Sequence, residues 1–150
     1  MKKVKFDNSQ SIALHKALPG VTLTPEQMEP MKIEGWLVDD HVCVQKPGNN
    51  VSWCISLYPW GDKISLEFFS KEDAIEYAKD VSKLGIDWKA IHSPENYAIS
   101  DLYLLALAQL KCLARRVRGR WFFQVSRRAV IAVACDGEGS EVFPEAGGQG

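Results

Sequence analysis

A chain of 150 residues with 46% apolar and 25% charged side chains has the composition of one ordinary globular domain, which excludes a disordered or fibrous protein. Its formal net charge of −1 excludes a global attraction to nucleic acid or anionic membrane. Four cysteines without CxxC spacing, a start, MKKVKFDNSQ, with no apolar core after its lysines, and no bilayer-length apolar run give the expectation of a reduced, cytoplasmic protein off the membrane.

The first 30 residues carry the weakest pattern. KVKF reads as a short strand, and SIALHKAL as a short helix stopped by Pro19-Gly20. In TPEQM, Thr24 is placed to cap, Pro25 to take the first helical position, and Gln27 to complete a capping box.

MKIEGWLV, HVCVQ, VSWCISLY and KISLEFF read as four strands joined by Asp39-Asp40, PGNN and PWGD. Two-residue turns centred on Asp39-Asp40, Gly48-Asn49 and Trp60-Gly61 pair Leu37 with Val42, Val44 with Trp53 and Val42 with Ile55. They also pair Leu57 with Ile64, Ile55 with Leu66 and Trp53 with Phe68. Side chains alternate along a strand, so all these apolar residues share one face.

SKEDAIEYAKDVSKLG is the expected cover for that face. Ser70 caps it, Glu72 and Asp73 suit the positive end of the helix dipole, and Gly85 ends it. Ala74, Ile75, Tyr77, Ala78, Val81 and Leu84 recur at helical spacing. The core, residues 31–92, is therefore predicted to be α+β: an antiparallel meander of four or more strands under a helix, in ββββα order. IDWKAIH is read as one further strand.

A second helix, 100–117, starts at a Ser100 cap, stops at Gly119 and is apolar nearly all round at its centre. Two copies pairing along Leu102, Leu105, Leu110 and Leu113 would form a homodimer. RWFFQVS and AVIAVAC read as a short C-terminal β-hairpin within an Arg-rich segment, 113–143, followed by a frayed tail, 144–150. One domain, 1–150, accommodates all of it.

Residues 66–91, LEFFSKEDAIEYAKDVSKLGIDWKAI, resemble the strand–helix–strand segment of the small accessory subunit of respiratory complex I, a likeness that implies local shape and no activity. The ββββα order is similar in topology to the single-stranded nucleic-acid-binding units of the Whirly and Pur type. The binding surfaces of those units are basic, whereas Lys32, Glu34, His41, Gln45, Lys63 and Glu67 make the corresponding face here near neutral.

The basic residues are unevenly distributed. All 12 Lys lie at or before Lys111, and all 6 Arg between Arg115 and Arg128. Arg115, Arg116, Arg118, Arg120, Arg127 and Arg128, interleaved with Trp121, have the composition of a segment that neutralises phosphates and stacks bases. The plainer reading puts the first three at a helix C-terminus, where cations meet the negative end of the dipole. The expected pairing also sets Cys43 opposite Cys54 and His41 opposite Ser56 on an uncovered sheet face. Glu67 lies nearby, the residue types of a thiol hydrolase without an evident pocket.

The expected function is thus non-enzymatic: a small regulatory module that binds, and inhibits, a protein partner. Its anchors would be the aromatics Trp36, Tyr58, Trp60 and Phe69, expected on the open face or its turns. Nucleic-acid binding through the Arg segment is the alternative, and the Cys/His hydrolase the third. No cofactor or metal is expected, since the His and Cys residues lack paired ligand spacing.

Overall fold

In the computed structural model the described residues are 1–48 and 52–117. The expected C-terminal hairpin, the Gly119 stop and Arg118, Arg120, Trp121, Arg127 and Arg128 lie outside them. The described chain is α+β. Five strands, β1 (Lys2–Asp7), β2 (Lys32–Leu37), β3 (Val42–Gln45), β4 (Trp53–Leu57) and β5 (Lys63–Phe68), form one antiparallel sheet in meander order. Five helices accompany them: α1 (Ser9–Lys16), α2 (Pro25–Met28), α3 (Lys71–Lys83), α4 (Trp88–Ile91) and α5 (Asp101–Val117).

The local signals act as their chemistry requires. Thr24 Oγ1 accepts from the Gln27 amide while Gln27 Oε1 accepts from the Thr24 amide, closing the capping box. Ser70 Oγ accepts from the Asp73 amide to start α3, and Ser100 Oγ accepts from the Tyr103 amide to start α5. IDWKAIH is not a strand. Asp87 Oδ1 accepts from the Ala90 amide and begins the single turn of α4, which buries Trp88 and Ile91 on one side. A side-chain cap overrides the alternation of apolar residues there.

The main core forms where α3 crosses β3, β4 and β5. Val42, Val44, Ile55, Leu57, Ile64 and Phe68 are buried against Ala74, Tyr77, Ala78 and Val81, and α5 adds Tyr103, Ala106, Leu107, Leu110 and Leu113. Full burial of each Val, Ile or Leu is worth about 1.5–3 kcal/mol, so this layer dominates the stability of the fold.

The face is as expected, but the registers are not. Val42 pairs with Leu57 and Val44 with Ile55, two residues from the expected alignment, so the same side chains still point inward. Trp53 pairs with Phe68 as expected. A shift between Cys54 and Ile55 then brings Ile64, in place of Leu66, opposite Ile55.

The β2–β3 register differs by one residue, which reverses a face. Asp39 Oδ1 accepts from the amides of both His41 and Val42, and the Val38 amide bonds to the Val42 carbonyl, so the loop holds three residues. Leu37 therefore faces Cys43, and Trp36 faces Val44 on the α3 side of the sheet.

The sheet also coils. Residues after β1 reach the turn after β4, although two strands separate β1 from β4: the Ser11 amide bonds to the Trp60 carbonyl at 3.2 Å. Phe6 and Tyr58 rings meet edge to face at 4.9 Å. Gly35 lies where this bend is tight, since a Cβ there would sit 2.2 Å from the Val44 carbonyl oxygen. The second face is consequently not open at its centre. Val4, Ile33, Cys43, Cys54 and Ser56 are all buried.

Candidate functional site

At the β4–β5 turn the chain assembles a buried polar centre. Asp62 ends the turn, and His92 follows the single turn of α4. His92 Nε2 donates to Asp62 Oδ2 at 2.7 Å, and Nδ1 donates to the Trp88 carbonyl at 2.7 Å. Both ring nitrogens are thus engaged, and the imidazole is held in place from two sides. The indole of Trp60 stacks on this ring at 4.0 Å with planes 12° apart. Tyr97 donates to the same Asp62 oxygen at 3.2 Å, and His15 packs edge-on to Tyr97.

Burial works to raise the Asp62 carboxyl. The hydrogen bond and charge of His92, with the Ser11 hydroxyl, hold it below the ordinary carboxylate value instead. Burial, then the Asp62 charge, push the Tyr97 phenol far up. The two side chains of the pair are 1% and 0% exposed. Buried in this way, the pair ties the 60–62 turn to the end of α4. Sequence reasoning missed this centre because Asp62 reads as a turn residue and His92 as the end of a strand.

The thiols are equally closed. Cys43 lies opposite Ser56, and Cys54 opposite Gln45, so the two are not the cross-strand pair expected. Both are free. Burial, then the neighbouring Cys54, pushes the Cys43 thiol up to about 12, and burial raises Cys54 to about 11. His41 Nδ1 bonds to the Tyr58 carbonyl. These geometries do not assemble a nucleophile and base. Among the described residues no group of three or more His, Cys, Asp or Glu is placed to hold a metal.

The four aromatic candidates do not form one surface. Trp60 is buried between His41 and His92, and an anchor for a partner must be exposed. Trp36 is half-buried on the α3 side of the sheet, with Lys71 Nζ 3.9 Å from its ring centroid and Trp53 at 6.0 Å. Tyr58 is half-buried against Phe6. Phe69, between β5 and α3, is 79% exposed.

Two further features reach the surface. One is α5, whose buried side carries Tyr103, Ala106, Leu107, Leu110 and Leu113. Leu104 and Leu105 on its other side are 56% and 58% exposed, with Ala108 and Cys112 exposed in the same row and Ile99 just before the helix. Of the four leucines expected to pair two copies, Leu110 and Leu113 are in the protein's own core; only Leu102 and Leu105 are exposed. Arg115 and Arg116 are exposed in the last described turn. The other feature is a cleft of about 850 Å³ at the end of β1, lined by residues that include Lys5, Phe6, Lys32, Lys46 and Tyr58.

None of the described helices is long and apolar enough to cross a membrane. No protein family, curated protein or solved structure matches this chain.

Proposed function

We propose that the chain is a non-enzymatic regulatory module that acts by occupying a protein partner. The observation that supports this most directly is the α5 row of Leu104, Leu105 and Ala108. It is an apolar stripe facing solvent on a helix whose opposite face is already filled by the core. A helix with both sides apolar gains by burying the second side against another protein. Phe69 supplies one more exposed aromatic, and Trp36 and Tyr58 are partly available at the sheet.

The reading is tested by placing a photo-crosslinking residue at position 105 in cells that express the protein at native level. A discrete protein adduct that disappears with Leu104→Glu, and is absent when the probe sits at the exposed Lys79, is the expected result. Adducts of equal yield from both positions would remove it.

The nucleic-acid reading retains one supporting observation, the exposure of Arg115 and Arg116 in adjacent positions of the last described helical turn. It requires low-salt retention of DNA or RNA that is lost on reversing those two charges.

A further inference from the structure

We propose that the outer edge of β1 and the cleft at its end accept an extended peptide of alternating acidic and apolar residues, added to the sheet as a further strand. This rests on other residues than α5 and is independent of what α5 binds.

β1 is an edge strand, and among the described residues it has backbone pairing to β2 alone. Its outward amide and carbonyl groups are therefore a template for strand addition. The charges around that edge select the partner. Lys5 faces Glu34 on β2, the Lys46 amide bonds to the Glu34 carbonyl to continue the ladder, and Lys32 faces Asp7. Both carboxylates are already engaged. Glu34 Oε2 pairs with Lys3 Nζ at 3.0 Å, and Asp7 Oδ1 accepts from both the amide and the hydroxyl of Ser9. Lys5, Lys32 and Lys46 are exposed and form no close ion pair with a described residue, although Lys5 and Lys46 both act on Glu34 through space. With Asp7 and Glu34 in the same lining, the cleft sets three cations against two carboxylates and is net positive.

The pleat sets the peptide's pattern. In β1, Lys3 and Lys5 share one face while Val4 and Phe6 share the other, where Phe6 meets Tyr58. Side chains of an added strand fall on the same two faces. Acidic residues at alternate positions would meet Lys3 and Lys5, and apolar residues between them would meet Phe6, Tyr58 and Pro59 in the cleft. A second copy of β1 is disfavoured by lysine opposite lysine.

The test uses the full chain and fluorescence anisotropy with three labelled ten-residue probes: alternating Glu-Val, alternating Lys-Val, and Glu-Val N-methylated at every second amide. The Glu-Val peptide is expected to bind, to weaken at least tenfold with Lys5→Glu/Lys46→Glu, and to weaken as much when N-methylated, since methylation blocks ladder bonds without changing charge. Both lysines are exposed, and an unchanged melting curve of the double variant confirms that its fold is intact. No binding at 100-fold excess of peptide would overturn the proposal. So would equal binding of the methylated probe, and so would displacement of the peptide by a short oligonucleotide at lower concentration, which would indicate a general polyanion surface.

Discussion

His92 Nε2 lies 2.7 Å from Asp62 Oδ2, and neither side chain touches solvent. Removing one member of such a pair strands the other charge in the interior, at a cost of about 3–5 kcal/mol. Asp62→Ala is therefore expected to lower unfolding free energy by that amount in urea titrations at pH 7. Because Asp62 is held below its unfolded value of 3.8, its contribution is full above that pH and is lost as pH falls through the lower folded value. The gap between the protein and Asp62→Asn should accordingly close in acid, and a gap that persists unchanged at pH 2 would contradict the assignment.

Trp60 is expected to behave as a core residue. Its indole fills the space between His41 and His92, so Trp60→Ala should cost about 3–5 kcal/mol in chemical denaturation. Phe69→Ala, at an exposed position, should stay within about 0.5 kcal/mol of the unaltered protein.

The cysteines give a chemical readout of the coiled sheet. Cys112 is exposed, whereas Cys43 and Cys54 are buried and their thiols are raised to about 12 and 11. Alkylation followed by peptide mass spectrometry at neutral pH should modify Cys112 about a hundredfold faster than either of the others, since the thiolate is the reacting species. Rapid labelling of Cys54 in the folded protein would mean that the second face is open after all.

Two glycines separate backbone strain from crowding. Gly61 and Gly85 both have positive φ, +95° and +67°. A Cβ on Gly85 meets nothing within 4 Å, but one on Gly61 would lie 2.5 Å from Asn8 Cβ. Gly85→Ala should cost about 1 kcal/mol from strain alone. Gly61→Ala adds a steric clash of about 1–3 kcal/mol that displaces α1. Thermal melts of the two variants compare them directly.

The buried face of β3–β5, the α3 cover and the caps at Thr24 and Ser70 were legible in the sequence, because alternation and short-range hydrogen bonds are local. Residues such as Val42 and Val44 point inward under a two-residue error in register, since the pleat repeats every two. Trp36 was misplaced because Asp39 accepts two amides and lengthens one loop by a residue, a choice that composition does not reveal. Closure of the second face over Cys43 and Cys54, and the pairing of Asp62 with His92, depend on contacts between distant segments. No periodicity encodes those.

The bond from the Ser11 amide to the Trp60 carbonyl also orders events during synthesis. Every hairpin of the meander joins neighbours in sequence, but α1 has no seat until residues 60–62 have left the ribosome. While β1 can pair with β2 early, α1 therefore waits undocked until the β4–β5 turn is made, and a bulky fusion ahead of Met1 would act on this last docking step, slowing maturation more than it weakens the finished molecule.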